Sequence, residues 1–224
     1  MGNRNMDGRG KPLPYTNQEV LMLQMTAMPL GAYQTNCYIL WEEVSDRCVI
    51  IDPGFEPETV LLQVQKLGKT VEAILLTHGH FDHVGAVKAI VRQTGCSLWM
   101  SQSDYTQRRT PQNAFFYPIH DCDFTVVNFC EEGQVICAGG LELTVLETPG
   151  HTQGSVCYLC QDHLFSGDTL FEGSCGRTDL PGGDYGQILC SLKRLATLED
   201  CKVYPGHGPA TTLADEKKYN PYMR

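Results

Sequence analysis

The stretch LLTHGHFDHVGA, residues 75–86, places three of the chain's seven histidines and one aspartate within six positions. The apolar run that leads into it, VEAILLT (71–77), has the composition of a buried strand. A helix is predicted over 82–94, with its apolar residues on one face and Gly95 at its end. The histidine cluster is therefore predicted to lie on the loop that joins a buried strand to a helix.

Two further histidines and an aspartate stand at similar corners. His151 lies in TPGHTQGS, His207 in YPGHGPATT and Asp168 in FSGDTLF, each after a strand and beside glycine or proline. A single histidine in a turn is usually a hydrogen-bonded structural residue. Five histidines at such corners instead favour loops that present ligands to Zn²⁺, Fe²⁺ or Mn²⁺.

The spacing of these residues predicts two ions rather than one. In an extended segment His78 and His80 point the same way, so they can bind one ion together. Asp82 and His83 lie at the turn into the helix and address a second point a few ångströms away. A carboxylate can bridge two ions about 3.5–4 Å apart, which makes Asp168 the natural shared ligand. Each ion needs a further ligand, and the available ones are His151 and His207.

The other elements are predicted from apolar runs bounded by turn residues. One helix begins at Pro57 and ends at Gly68, and another follows its cap Asp184 and extends to Leu198. In residues 96–130 polar and aromatic residues alternate, and this segment is expected to cover the site. The predicted strands are 20–28, 36–41, 48–52, 141–148, 155–160, 163–167 and 202–205, and a last helix begins at Thr212.

The composition narrows the class of protein. The 224 residues are 42% hydrophobic and 19% charged, which is enough to bury a sizeable core. The formal charge is −9 and there is no Lys/Arg-rich run, so nucleic acid is not expected as a partner. No stretch approaches the roughly 18 apolar residues of a membrane helix, so a membrane is not expected as a partner either.

The cysteines and the first residues carry two further expectations. The eleven cysteines are an odd number without framework spacing, which is typical of reduced thiols in the cytoplasm. Cys157 and Cys160 have C-x-x-C spacing, but in a strand they face opposite sides, so both are predicted to be core residues. Residues 1–14 are expected to be a flexible leader or a vector remnant, and the folded domain is expected to span 15–224.

The histidine motif resembles that of a known family. H-x-H-x-D-H at 78–83, followed in order by His151, Asp168 and His207, is similar to the metallo-β-lactamase superfamily over about residues 20–215. The segments IDPG, TPGHTQGS and SGDTLF resemble the glyoxalase II branch, and GSCGRTDLPGGD (173–184) resembles its short, single-domain members. The resemblance implies an α/β fold, a single-domain four-layer αββα sandwich with the metals at one edge of its two sheets.

The resemblance also implies roles for single residues. Asp52 of IDPG falls where the family has an acid that orients ligand loops, although it also suits a simple turn residue. Asp82 and Asp168 are the carboxylates expected to take part in catalysis, Asp82 by orienting the nucleophile. The first ion is assigned to His78, His80 and His151, the second to Asp82, His83 and His207, and Asp168 bridges them.

This site predicts hydrolysis of a carbonyl substrate. Two bound ions, Zn²⁺ in the first place with Fe²⁺ or Mn²⁺ as alternatives, lower the pKa of a shared water toward about 7, so that hydroxide forms at neutral pH. A thiolate leaving group needs little protonation, because the pKa of a thiol is about 8.5. The similarity to glyoxalase II points to a small-molecule thioester, S-lactoylglutathione or another hydroxyacyl-glutathione.

Arg177 is the candidate substrate-binding residue. It falls where the family places a basic residue that grips a glutathione carboxylate, and a cation suits that task. The tyrosine that accompanies it in the two-domain enzymes is Asp179 here, which weakens the match. The alternative is a structural ion pair of Arg177 with Asp179 or Asp184.

Three other functions fit the same ligand residues. Persulfide dioxygenases also resemble this chain, including a G-R-T-D segment, and hold a single iron. Lactonases and β-lactamases use the same fold and metals for other substrates. A binding module in which the metal only stabilises the fold is the third alternative, and the full ligand set argues against it. A flavodiiron-type site fits poorly, because such sites have glutamate where His80 stands.

Overall fold

Two six-stranded sheets form the centre of the molecule. The structure, a computed structural model, describes residues 22–107 and 127–224. In the first sheet the strands follow chain order, and the last four run parallel to one another. Its strands are β1 (Leu23–Leu30), β2 (Thr35–Glu42), β3 (Arg47–Ile51), β4 (Thr70–Leu75), β5 (Ser97–Ser101) and β6 (Asn128–Cys130).

The second sheet is mostly antiparallel and has the order β14-β13-β10-β9-β8-β7. Only its β10 and β13 pair in parallel within the described residues. A short hairpin of β11 (Leu170–Phe171) and β12 (Ser174–Cys175) stands apart from it. The strands of the sheet are β7 (Val135–Ala138), β8 (Leu141–Glu147), β9 (Val156–Cys160), β10 (His163–Gly167), β13 (Lys202–Pro205) and β14 (Thr211–Thr212).

Helices cover the outer face of each sheet. The helices are α1 (Pro57–Lys66), α2 (Phe81–Val84), α3 (Val87–Thr94), α4 (Gln102–Gln107), α5 (Tyr185–Leu195) and α6 (Leu213–Tyr219). Helices α1 and α3 share a core with the first sheet, and α5 and α6 share one with the second. A third core lies between the sheets. The predicted single-domain αββα sandwich is confirmed.

Strand β4, which leads into the histidine cluster, is buried on both faces. Ala73 and Leu75 point into the core between the sheets, whereas Ile74 and Leu76 point into the core under α1 and α3. A strand covered on both sides reads as a continuous apolar run, which is why this segment was recognisable. The histidines that follow it therefore start from a rigid position.

The helix predicted over 82–94 is two helices. The N–H of Ala86 donates to the carbonyl of Pro53 at 3.0 Å, outside the helical ladder, and α2 and α3 separate there. Gly85 passes so close to Gly54 that an added Cβ would lie 2.3 Å from the Gly54 oxygen. The turn after β3 thus packs into the helix, a contact that the local sequence pattern does not show.

The other differences concern boundaries and short elements. The helix predicted to extend to Leu198 ends at Leu195, because Thr197 and Leu198 bond to carbonyls three residues back. The segment 96–130 contributes β5, α4 and β6, none of which was predicted, and the short strands β7, β11, β12 and β14 were also missed. The expectation that 1–14 form a leader falls on residues outside the described ranges. The expectation that 96–130 covers the site falls in large part on such residues too, since 108–126 lie outside them.

Cys157 and Cys160 lie on opposite faces of β9, as predicted. Cys157 is buried under α5 and α6, and Cys160 is buried between the sheets. All ten cysteines in the described residues are free thiols. Among the described helices, none combines the length and the apolar character needed to cross a membrane.

Candidate metal centre

The histidines and acids named from the sequence meet at one edge of the sandwich, where strands of both sheets end. Hydrogen bonds join the sheets at this edge: Val156 N–H donates to the carbonyl of Thr77 at 2.8 Å. The Tyr158 hydroxyl donates to the Leu76 carbonyl, also at 2.8 Å. Ligand loops from both sheets are therefore held against each other before any ion is considered.

The first group consists of His78, His80 and His151. Each offers one ring nitrogen, and these nitrogens lie within 4.8 Å of one another. Nδ1 of His80 and Nε2 of His151 are only 2.9 Å apart. Two nitrogens bound to one tetrahedral zinc lie about 3.3 Å apart, so the group needs only a small expansion to hold an ion.

The second group consists of Asp82, His83 and His207, whose ligand atoms also lie within 4.8 Å of one another. Oδ2 of Asp82 is 3.3 Å from Nε2 of His207 and 3.8 Å from Nε2 of His83. A carboxylate with two imidazoles is a ligand set that Zn²⁺, Fe²⁺ and Mn²⁺ all accept. The second group can therefore hold a divalent ion of its own.

Asp168 lies between the two groups. Its Oδ2 is 3.4 Å from Nε2 of His151 in the first group and 3.7 Å from Nε2 of His207 in the second. Its Oδ1 is 3.5 Å from Nε2 of His83. One carboxylate thus faces ligand nitrogens of both groups, which is the arrangement of a bridging ligand in a dinuclear site.

Backbone carbonyls orient two of the histidine rings. Nδ1 of His151 lies 2.8 Å from the Arg177 carbonyl, and Nδ1 of His207 lies 3.1 Å from the Tyr33 carbonyl. A carbonyl only accepts, so each Nδ1 carries the hydrogen and donates. The opposite nitrogen, Nε2, is then left with a lone pair for a metal.

Asp52 orients the other two rings that use Nε2. Its Oδ2 accepts from Nδ1 of His83 at 2.8 Å and from the Thr77 hydroxyl at 2.6 Å. That hydroxyl lies 3.1 Å from Nδ1 of His78, so it can accept the hydrogen of this ring. Asp52 also has a left-handed φ of 49°, so it is a turn residue as well as a partner of the rings.

Three buried polar atoms of the two groups and Asp168 have no hydrogen-bond partner: Nε2 of His78, Nε2 of His83 and Oδ1 of Asp168. An unsatisfied buried polar atom costs about 1–3 kcal/mol. Three of them within one site indicate a ligand that they share. A divalent cation satisfies nitrogen and oxygen donors together, so the residues fit a metal centre.

The charges at the site act on the histidines in opposite directions. Burial lowers the pKa of His83, but the carboxylates of Asp168 and Asp52 outweigh this and raise it to about 9. Burial, together with the neighbouring histidines, lowers the pKa of His78, and the same causes lower that of His80 to about 2. His78 and His80 are therefore neutral imidazoles at pH 7, the form that binds metal.

Glycines allow the ligand loops to approach this closely. A Cβ at Gly206 would lie 2.2 Å from Oδ1 of Asp168 and 2.8 Å from Cε1 of His83. A Cβ at Gly176 would lie 1.8 Å from the Asp168 carbonyl. Only glycine fits at these two positions, which explains why ligands and glycines occur side by side in the sequence.

The loop that carries His207 is tied to the first hairpin of the chain. Asn36 N–H donates to the Gly206 carbonyl at 2.7 Å, and its side-chain amide donates to the carbonyls of Pro205 and Gly208. The Tyr38 hydroxyl donates to the Pro205 carbonyl at 2.6 Å. The second group is therefore held in place by residues about 170 positions away, none of which the sequence singled out.

A cavity of about 510 Å³ opens onto the two groups. Tyr33 and Phe81 meet edge to face at its wall, with ring centroids 5.1 Å apart. A substrate in this cavity would reach His80, Asp82, His151, Asp168 and His207 directly, and the rest of the lining is Tyr33, Phe81, Phe171, Ser174, Cys175, Arg177 and Leu180.

Arg177 lines the cavity and forms an ion pair with Asp179. Its Nε and Nη2 each donate to one carboxylate oxygen at 2.7 Å, which lowers the pKa of Asp179 to about 2. Both side chains are exposed. Asp184 is engaged elsewhere, since its Oδ1 caps α5 by accepting from Gln187 N–H. Of the two ion pairs considered from the sequence, the one with Asp179 is formed.

Sequence reasoning missed two polar residues behind the site, Thr77 and Asp104. Thr77 lies inside the quoted motif and could have been considered as a partner of its neighbours. Asp104 gave no signal, because it accepts from Gly79 and Thr152, which are 25 and 48 positions away. Burial raises the pKa of Asp104, and its hydrogen bonds counter this in part.

Asp52→Asn is expected to weaken Zn²⁺ binding about 10- to 100-fold, which is the usual cost of losing a group that orients a metal ligand. An amide NH₂ in place of Oδ2 cannot accept from Nδ1 of His83, so the ring would shift its hydrogen to Nε2 and lose its lone pair there. Competition with a chromophoric chelator measures the affinity. Asp46→Asn, at an exposed aspartate before β3, is the control, and equal affinities for both variants would contradict the assignment.

The sequence profile of the metallo-beta-lactamase superfamily matches residues 30–207. Hydroxyacylglutathione hydrolase GloC of Haemophilus influenzae is 32% identical over 209 residues, which cover 90% of this chain and 98% of GloC. The crystal structure of TTHA1623 in a di-iron-bound form is 39% identical, covers 88% of this chain and 99% of its own, and has a TM-score of 0.78. ETHE1 from Myxococcus xanthus is 31% identical, with 88% and 83% coverage and a TM-score of 0.75.

Proposed function

Because this chain belongs to the metallo-β-lactamase superfamily, we propose that it is a metal-dependent hydrolase that cleaves a small-molecule thioester such as S-lactoylglutathione. GloC, which is named for hydroxyacylglutathione hydrolysis, supports this substrate class because it aligns over nearly its whole length. The observation that carries the proposal is the position of Asp168 between two ligand groups. A shared carboxylate indicates two ions, and two ions suit hydrolysis.

The residues of the chain divide the chemistry between them. Two divalent ions, when bound, supply Lewis acidity and a water that is ionised at neutral pH. We assign the first ion to His78, His80 and His151 and the second to Asp82, His83 and His207, with Asp168 shared. Asp52 keeps the hydrogen of His83 on Nδ1, so that Nε2 stays available.

Two carboxylates reach the cavity and can act on the reacting groups. Asp82 and Asp168 line it, and Oδ2 of Asp82 is steadied by the Thr35 hydroxyl at 3.3 Å. We assign Asp82 the task of orienting the nucleophile toward the carbonyl carbon. A thiolate leaving group needs little protonation, so this site suits a thioester without a further acid.

Elemental analysis together with a thioester assay tests the proposal. The purified protein is expected to contain two divalent ions per chain and to hydrolyse S-lactoylglutathione, and a chelator is expected to abolish the activity. Zn²⁺ is the metal we propose first, with Fe²⁺ as the main alternative because TTHA1623 holds two irons. Absence of turnover on thioesters by the fully loaded protein would contradict the proposal.

Persulfide oxidation is the second candidate function, favoured by the likeness to ETHE1 at 31% identity. The two candidates differ in metal content and in the consumption of oxygen. If the protein contained one iron per chain and consumed O₂ with glutathione persulfide, persulfide oxidation would replace hydrolysis as the proposed function. Both functions suit a reducing compartment, and we propose the cytoplasm because the ten described cysteines are free thiols, most of them buried.

Arg177→Ala is expected to raise KM for S-lactoylglutathione about tenfold. KM for a thioester that carries no carboxylate should stay nearly unchanged. The increase in KM is expected because the guanidinium of Arg177 can donate two charge-assisted hydrogen bonds to a substrate carboxylate, and the alanine variant cannot. A substrate carboxylate can compete for Arg177 because an ion pair between two exposed side chains is weak.

Asp179→Asn is the matched variant for this measurement. It removes the negative charge that pairs with Arg177 and one of the two acceptor oxygens, so KM for S-lactoylglutathione should fall. Equal effects of Arg177→Ala on the charged and the uncharged thioester would instead favour a purely structural ion pair. Steady-state kinetics on both substrates decide between the two.

A further inference from the structure

Asp104 lies outside every sequence motif, yet it contacts the site from behind. It belongs to the short helix α4 and is completely buried. Its carboxylate accepts three hydrogen bonds: from Gly79 N–H at 2.7 Å, from the Thr152 hydroxyl at 2.8 Å and from Gly154 N–H at 2.9 Å. All three donors are on other elements, so the carboxylate is not there to stabilise its own helix.

The donors belong to the two loops that carry the first ligand group. Gly79 stands between His78 and His80, and Thr152 follows His151 directly. The His80 and His151 rings are 71 positions apart in the chain, and their facing nitrogens are 2.9 Å apart in space. One carboxylate therefore bonds to both loops at the point where they must keep this spacing.

The loop after His151 is shaped to fit the carboxylate. A Cβ at Gly154 would lie 2.5 Å from Oδ1 of Asp104 and 2.3 Å from the Ser101 hydroxyl. Glycine lets the backbone pass directly over the carboxylate, so that the Gly154 N–H can reach it. Thr152 is held from its other side too, since its hydroxyl lies 2.8 Å from that of Ser155.

A carboxylate is the side chain that serves this arrangement best. An ionised carboxylate only accepts, with about four lone-pair positions on two oxygens, so it can take all three donors. An amide has only one acceptor oxygen. Its NH₂ group would replace the other carboxylate oxygen and face an N–H or O–H donor instead of accepting from it. Burying a charge is costly and has to be offset by hydrogen bonds, which the two loops provide.

We propose that Asp104 is a positioning residue for the first metal ion, which fixes the distance between the loop of His78 and His80 and the loop of His151. This inference rests on the metal site of the proposed function, and not on its substrate. Its test therefore measures metal binding in the absence of substrate, so that a failure of thioester hydrolysis leaves the result intact.

The experiment compares Asp104→Asn with Glu216→Gln. Glu216 is also buried and accepts three hydrogen bonds, from Gly173 N–H, the Thr211 hydroxyl and the Asn220 amide, but it ties α6 to the β11–β12 hairpin. Both variants should lose stability in urea. Only Asp104→Asn is expected to lower the affinity for one Zn²⁺ about 10- to 100-fold, in competition with a chromophoric chelator.

Cobalt replacement gives a second readout, because the visible absorption of Co²⁺ reports the geometry around the ion. We expect the spectrum of the first ion to change in Asp104→Asn and to stay unchanged in Glu216→Gln. Wild-type affinity and spectrum in Asp104→Asn would overturn the proposal, and so would an equal loss of affinity in both variants.

Thr152→Val replaces Asp104→Asn if the latter does not fold. This change removes one of the three donors and leaves the carboxylate in place. A several-fold loss of affinity for one ion is expected, with recovery in Thr152→Ser, which keeps the hydroxyl. Unchanged affinity in Thr152→Val, or no recovery in Thr152→Ser, would count against the role of Asp104.

Discussion

His80→Ala is expected to bind one ion instead of two and to lose at least about a thousandfold in kcat/KM for the thioester. His80 supplies one of the three nitrogens of the first group, and its ring meets His151 at 2.9 Å. An ion that stabilises transition-state charge contributes several kcal/mol, and about 1.4 kcal/mol is a factor of ten in rate. Elemental analysis and kinetics on the same preparation measure both effects.

His163→Ala is the control for this prediction. His163 lies in β10 of the second sheet, where it stacks on Tyr204 and pairs with the carboxylate of Asp162 instead of a ligand residue. This variant should keep two ions and full activity. A His80→Ala protein that retains most of its turnover would show that the first group is assigned wrongly.

Asp168→Ala is expected to weaken the binding of both ions together and to abolish turnover. Asp168 is the only one of the assigned ligands that faces nitrogens of both groups, at 3.4–3.7 Å. Its removal also takes away one of the carboxylates that raise the pKa of His83 and His207. Titration with Zn²⁺ should show two weakened sites, whereas His80→Ala should show one.

Asp162→Ala provides the matched control, because Asp162 is an exposed aspartate that pairs with His163 and Lys202 instead of a ligand histidine. It should bind two ions with unchanged affinity. If Asp168→Ala lost only one ion and bound the other normally, Asp168 would be a terminal ligand and the dinuclear interpretation would have to be abandoned.

The loops that carry the candidate ligands were predictable because each follows a strand with a recognisable sequence pattern. The run before His78 is buried on both faces, and Pro-Gly corners precede His151 and His207. Such corners lie together at the edge of a sheet, so residues distant in the chain were expected to meet. The two groups and Asp168 do so. The four-layer fold followed from the family resemblance more than from the periodicity of single elements.

The support of the ligands was not predictable, because it depends on contacts between distant segments. Asp52 could not be separated from a simple turn residue until its bond to His83, 31 positions away, was seen. The break between α2 and α3 depends on the Pro53 carbonyl, which the helical pattern of 82–94 does not contain. Asp104 lies in a stretch of mixed polarity where no period is readable.

The hydrogen bonds between Asn36 and the loop at 205–208 have a consequence for biosynthesis. The proposed site of the second ion is complete only after the chain has been synthesised past Gly208 and the β1–β2 hairpin has bound that loop. Contacts of such large sequence separation form late, after the entropy of the intervening chain has been overcome. The second of the two proposed ions can thus bind only after this loop has joined the hairpin, and a chain stalled before residue 205 would lack His207 as its third ligand.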